Sequence, residues 1–211
     1  VEAEIDVIRQ MGVEIRCGVE VGKDVTLDEL RAQGYKAFYL AIGCQGGRMA
    51  GIPGEDAPNV TTAVDFLHRV NEGEKINLNG RIVVVGGGNV AIDVVRSGLR
   101  CGATGADMFC LEARDQMPAT PGEIAEAEEE GAKVHCGWGP KEILTENGKA
   151  VAVVFKRCVS VFDAEGRFNP TYDENDTVTV ECDHVFMSIG QSILWGNLLE
   201  GSKVELAGGG R

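Results

Sequence analysis

The residues best placed to do chemistry are three consecutive glycines, Gly86-Gly87-Gly88, followed by Asn89-Val90-Ala91. They stand directly after the apolar run Ile82-Val83-Val84-Val85 and directly before a stretch with helical periodicity. The pattern is G-x-G-x-x-A. Gly86 lets the chain turn tightly, Gly88 lets the backbone approach a pyrophosphate with no side chain between them, and Ala91 lets the helix pack close to the sheet. The free N–H groups and partial positive charge of the helix N-terminus then face the phosphates. A bare glycine pattern is a weak signal, but strand, helix and following strand are all legible here, which points to NAD(H) or NADP(H). The pattern also suits a flavin, another nucleoside such as S-adenosylmethionine, or a turn that holds no ligand.

Glu112 is the next candidate. It lies 26 positions after Gly86, beyond the usual spacing of about 20, and the extra turn Cys101-Gly102-Ala103-Thr104-Gly105 accounts for the excess. A carboxylate there accepts hydrogen bonds from an adenosine ribose and repels a 2′-phosphate. Arg114, two residues on, is suited to meet that phosphate. The two point in opposite directions, with a modest balance towards NAD(H). The seven cysteines form no C-x-x-C or C-x4-C pair, so the usual redox-dithiol and cluster spacings are missing and most are read as buried free thiols of a reducing cytoplasm. His68, His135 and His184 are isolated from one another and are read as structural. Trp138 and Trp195 are read as packing residues, although either is able to flank a cofactor ring. No metal-ligand or Ser/His/Asp spacing appears.

Elements must hold these residues in place. Periodicity predicts helices over 1–12, 24–33 and 62–70, the second opened by a capping box of Thr26 and Glu29. Short strands are expected at 13–15 and 37–42. The middle section reads strand 82–85, helix 89–100, strand 108–111, helix 123–130 and strand 133–136, the order of a mononucleotide-binding half. The glutamates of 123–130 are read as a solvated face. From 141 the pattern turns to strands at 141–145, 150–162 and 177–182, with Asn147-Gly148 as a hairpin signal. A parallel-type strand follows at 184–189. The fold class is therefore α/β: a Rossmann-like parallel sheet with an inserted antiparallel β-meander at about 141–182.

Composition narrows the partners. The formal net charge is −13 and the pI about 4.7, which argues against nucleic acid and anionic membranes, since both need basic patches. No apolar run approaches the length of a membrane span, and the acidic first ten residues do not form a secretory signal, so a cytoplasmic setting is expected.

Four stretches together resemble the glutamate synthase small-subunit type of flavoprotein, with two dinucleotide-binding domains, in the pyridine nucleotide-disulfide oxidoreductase superfamily. They are Tyr39-Leu40-Ala41-Ile42-Gly43 with Gly51-Ile52-Pro53-Gly54-Glu55; GGGNVAIDVVRSGLRCGA; Leu111-Glu112-Ala113-Arg114 with Met117-Pro118-Ala119; and Val185-Phe186-Met187-Ser188-Ile189-Gly190-Gln191. The resemblance implies severed parts of an FAD-type domain at 1–60 and 191–211 around an NAD(P)-binding domain at 61–190. It also implies a parent oxidoreductase that passes hydride between NAD(P)H and FAD and electrons onward through iron–sulfur centres. The partners are then the nicotinamide dinucleotide and the rest of the parent flavoprotein or an electron-transfer subunit. FAD belongs to the parent only, and the chain alone is expected to be inactive. NADP-binding members of the family pair two arginines where this sequence has Glu112-Ala113-Arg114. The candidate cofactor-binding residues are Gly86, Gly87, Gly88, Asn89, Val90, Ala91, Glu112, Arg114, Ile189 and Gly190, with no catalytic acid or base and no metal ligand assigned. Two other classes stay open: a non-catalytic nucleotide-binding module, and a dehydrogenase acting directly on a small molecule, for which no catalytic His, Lys or Tyr stands out.

Overall fold

Stretches of period two and stretches of period three to four, alternating along one chain, are satisfied by helices packed on sheets. In the computed structural model, which describes residues 1–207, the chain runs α1 (Glu2–Gln10), α2 (Leu27–Ala32), β1 (Gly46–Gly47), β2 (Val60–Thr62), α3 (Ala63–Asn71), β3 (Gly80–Val85), α4 (Asn89–Arg100) and β4 (Ala103–Cys110). A single 3-10 turn follows at Arg114–Gln116, then α5 (Pro121–Glu129), β5 (Ala132–Cys136), β6 (Trp138–Glu146), β7 (Lys149–Phe162), β8 (Phe168–Glu181), β9 (His184–Met187) and β10 (Gln191–Ser192). Two compact units result, Gln45–Ser192 and, separately, Val1–Cys44 with the chain from residue 193 onward.

The larger unit is built on a five-stranded sheet of order β2-β9-β3-β4-β5, parallel throughout. Its central strand explains the β-branched run. Ile82 and Val84 face a core shared with Phe66, Ile92, Val95, Met108 and Ile124 of α3, α4, β4 and α5. Val83 and Val85 face a second core shared with Phe109, Ile143, Val153 and Phe155. A strand covered on both faces reads as continuously hydrophobic rather than alternating. The covering layer on the second side is the antiparallel sheet β6-β7-β8, and the β6–β7 turn is the expected Asn147-Gly148 pair, both at positive φ. The meander strands extend beyond the expected limits, to Trp138 at one end and Phe168 in β8.

On the helical side the glutamates of α5 are more than a solvated face. Glu126 and Glu130 take Arg96 at 2.7 Å each, Glu130 also takes Arg100, and Glu128 takes Arg114. They fasten α5 to α4 and to the loop after β4.

In the smaller unit the capping box on α2 forms as expected: Glu29 N–H donates to Thr26 Oγ1 at 3.1 Å, and Thr26 N–H donates to Glu29 at 2.8 Å. The strands expected at 13–15 and 37–42 do not form. A strand needs a partner for its ladder of N–H and C=O groups, and neither stretch finds one among the described residues. Val13, Ile15 and Leu40 are exposed and Tyr39 is 93% exposed. The last four residues of the segment 191–211, expected to belong to an FAD-type domain, lie outside the described residues.

Candidate functional site

The glycine turn closes the carboxyl end of β3. Gly86 adopts φ 140°, and a Cβ there would overlap the carbonyl oxygen of Ser188 at the end of β9. Backbone bonds fix the turn on both sides: Gly86 N–H donates to Phe109 O at 2.8 Å and Ser188 N–H to Val85 O at 2.7 Å. Gly88 is the N-cap of α4, in an extended conformation open to any residue, and supplies no side-chain cap. A Cβ built on it would meet no protein atom within 4 Å. Nothing in the packing therefore requires glycine at 88, and the first turn of α4 opens into free space with its N–H groups uncapped by a side chain. An anion such as a pyrophosphate fits this cradle.

That space is part of a cleft of about 540 Å³. Its position follows from topology. The chain leaves β3 for β4 and β5 on one side, while β9 lies on the other. Ligands of open α/β sheets bind in the crevice outside the carboxyl ends of the strands, where the order reverses. Here that crevice lies between the ends of β3 and β9, and it is lined by Val85, Gly86, Gly87, Gly88, Ser188, Ile189 and Gly190.

Of the ten residues expected at the site, Gly86, Gly87, Gly88, Glu112, Ile189 and Gly190 line the cleft together. A Cβ on Gly87 would come within 2.9 Å of Glu112 Oε2, so the carboxylate lies against the turn. The other four do not line it. Ala91 is buried on the inner face of α4 and Val90 packs against the helical core. Asn89 Oδ1 accepts from Thr120 N–H at 2.9 Å, tying the start of α4 to the start of α5. Arg114 gives both terminal nitrogens to Glu128, at 2.8 and 2.6 Å.

Three groups of lining residues were not among the expected ones. Arg48, Met49, Ala50 and Ile52 come from the crossover ahead of β2. This segment is held by Glu55, whose carboxylate accepts from Ala50 N–H at 2.9 Å and from Gly51 N–H. Pro118 belongs to the loop that Ala119 N–H anchors on Gly87 O at 3.0 Å. Trp138, Pro140, Phe168, Pro170 and Tyr172 form a wall from the meander. Phe168, Pro170 and Tyr172 recur every second residue, so the sequence did hold a signal: one face of one strand. Arg157 stacks 3.7 Å over the Trp138 ring and Lys156 lies 4.2 Å over Tyr172, holding both rings in place.

The thiols near the cleft are quiet. Cys110 and Cys136 are paired neighbours across β4 and β5. Burial, followed by Cys136 and Glu112 nearby, pushes the Cys110 thiol well above its ordinary value. Burial likewise raises Cys158, and Cys182 is pushed up to about 12. Thiols of this kind stay protonated at neutral pH and are poor nucleophiles. Cys17 and Cys44, by contrast, are exposed. Of the histidines, His135 Nε2 lies 2.8 Å from Asp107 Oδ1, a structural pairing outside the cleft. Among the described residues no cluster of His, Cys, Asp and Glu is arranged to hold a metal ion, and no helix is long and apolar enough to cross a membrane.

The chain is similar to known proteins over most of its length. The chain is 36% identical over 197 residues to the NADPH-Fe(3+) oxidoreductase subunit beta of Geobacter sulfurreducens, a match covering 90% of this chain and 29% of that protein. It is 32% identical over 196 residues to the glutamate synthase [NADPH] small chain of Halomonas elongata, covering 87% of this chain and 41% of that one. The chain thus spans less than half the length of these curated relatives. Among solved structures, FprA from Mycobacterium tuberculosis in complex with NADPH superposes with a TM-score of 0.69 at 23% identity over 82% of this chain and 54% of FprA, a likeness of fold. The family model for pyridine nucleotide-disulphide oxidoreductases matches residues 2–211. With the parallel sheet, the glycine turn at its switch point and relatives at about a third identity over most of its length, the chain belongs to the pyridine nucleotide-disulphide oxidoreductase family of NAD(P)-dependent flavoproteins.

Proposed function

We propose that the unit Gln45–Ser192 is the nicotinamide-nucleotide domain of a flavin-dependent oxidoreductase, and that the dinucleotide lies across the Gly86-Gly87-Gly88 turn. One observation carries the reading: a glycine that no protein contact requires, Gly88, opens a helix N-terminus into the cleft at the topological switch point. The space a Cβ would fill is where a pyrophosphate needs the backbone bare. The first-turn N–H groups of α4 hold the phosphates, Glu112 lies towards the adenosine half, and Ser188, Ile189, Gly190 and the crossover residues Arg48 to Ile52 lie towards the nicotinamide half. The meander wall excludes water on one side.

Among the described residues one strand runs into a glycine turn and a helix, so one dinucleotide is assigned to this chain. FAD, bound in the whole protein, supplies the partner for hydride transfer, while this chain binds and orients the nicotinamide nucleotide. The names of these relatives, which join NADPH to an iron(III) reductase and to glutamate synthase, support an electron-delivering subunit whose acceptor lies on another domain or chain. The second unit fits a portion of an FAD-type domain: Ile8, Ile15, Tyr39, Leu40 and Leu194 are exposed there, as side chains that fill a larger core are when it is incomplete.

The test is titration calorimetry with reduced and oxidised nicotinamide dinucleotides on the chain and on Gly88→Val. The variant is expected to lose no more than about 1 kcal/mol of stability, the cost of a poor N-cap. Its dissociation constant should rise more than about tenfold, equivalent to about 1.4 kcal/mol. Equal affinity in the two proteins would exclude the glycine turn as the pyrophosphate site.

A further inference from the structure

We infer that the dinucleotide taken by this cleft is NAD(H) rather than its 2′-phosphorylated form, with Glu112 as the residue that reads the adenosine ribose. The inference rests on the reading of the cleft as a nicotinamide-nucleotide site, and three observations carry it beyond that reading.

The first is placement. β4 lies beside β3 in parallel, ends at Cys110, and is followed within two residues by Glu112. Glu112 lines the cleft, and its Oε2 is close enough to Gly87 that a Cβ there would lie 2.9 Å from it. A carboxylate at the end of the second strand, beside the glycine turn, accepts hydrogen bonds from ribose hydroxyls. A phosphate in place of the 2′-hydroxyl would bring like charges together and remove the donor.

The second is the fate of Arg114, the cation nearest in sequence. It opens the 3-10 turn Arg114–Gln116, stands outside the cleft lining, and makes a two-pronged bond to Glu128 of α5. The fork that would recognise a phosphate bidentately is already filled by a carboxylate.

The third is the charge of the cleft itself. Arg48 is the one basic residue in its lining, and it lies at the far end, where its N–H donates to Gly190 O at 3.2 Å. Gly190 follows β9, on the opposite side of β3 from β4 and Glu112. A 2′-phosphate would therefore face Glu112 with no basic residue of the lining beside it, and the cations behind the Trp138 and Tyr172 rings, Arg157 and Lys156, are already paired with Asp176 and Glu174. The curated relatives described above carry NADPH in their names, so this preference would set the chain apart from them.

Dissociation constants for NADH and NADPH, measured by calorimetry at one ionic strength on wild type, Glu112→Gln and Arg114→Ala, test the inference without recourse to activity. NADH is expected to bind the wild type at least about tenfold more tightly. Glu112→Gln should weaken NADH, improve NADPH and close most of that gap. Arg114→Ala should leave both constants unchanged. Tighter or equal NADPH binding to the wild type, or a selective loss of NADPH affinity in Arg114→Ala, overturns the inference and leaves the nucleotide site standing. Failure of both nucleotides to bind a wild type with a folded circular dichroism spectrum overturns the site and the inference together.

Discussion

At Gly86 the backbone sits at φ 140° and an added Cβ would overlap Ser188 O, whereas at Gly88 the backbone is extended and an added Cβ would touch nothing. The first glycine is demanded by the fold and the second is left free by it. Gly86→Ala is therefore expected to destabilise the chain by about 2 kcal/mol or more, through a strained dihedral and a backbone overlap. Urea unfolding would measure the loss, and a midpoint equal to wild type would show that β3 and β9 can separate to admit the methyl group. Glu112 and Arg114 divide in the same way. Both appear in the sequence as candidates two residues apart, but one carboxylate lies against the turn while the guanidinium turns to α5. Sequence spacing does not tell which of two neighbouring side chains faces a cleft once the chain has left its strand, because the period-two rule no longer applies.

Elements with their own local signals took the expected form. The helix from Asn89 to Arg100 and the hairpin at Asn147-Gly148 agree with the reading of the sequence. So does the Thr26 cap on α2, whereas Thr62, read as the first residue of a helix, is the N-cap of α3. Thr62 Oγ1 accepts from Asp65 N–H at 3.2 Å and donates to Asp65 Oδ2 at 2.6 Å. Thr62→Ala should cost about 1 kcal/mol, read as a lower urea midpoint. Because α3 packs behind β2 and β9 and not in the cleft, nucleotide affinity should be unchanged; a loss of affinity would show that the cap reaches the site through β9. Elements whose existence depends on a distant partner went otherwise. The stretches at 13–15 and 37–42 have apolar residues but find no ladder to join among the described residues, while β2, only three residues long, exists because β9 lies beside it.

For the molecule as a whole, Asp107 is an acid-sensitive point: a 5% exposed residue in the middle of β4. Burial alone would raise its pKa, but the hydrogen bonds from Arg81 Nη2 and His135 outweigh this and hold the carboxyl below its ordinary value. A group whose pKa is depressed by folding stabilises the native state above its unfolded value, about 3.9, and loses that contribution as the pH falls through the folded value. The stability difference between wild type and Asp107→Asn should thus be largest above about pH 5 and shrink towards pH 2. A constant difference across equilibrium unfolding curves would deny Asp107 this role. The sequence by itself determined the α/β class, the strand–turn–helix with its glycines and the acid at the end of the second strand, because hydrophobic periodicity, turn chemistry and capping act over a few residues. Only the tertiary structure decided that Ser188 stands against Gly86 and that Arg114 is spent on Glu128. It also decided that Arg48 and the Phe168–Pro170–Tyr172 face complete the cleft. Those relations join residues up to a hundred or more positions apart, and they arise from strand order and from layers closing on both faces of one sheet.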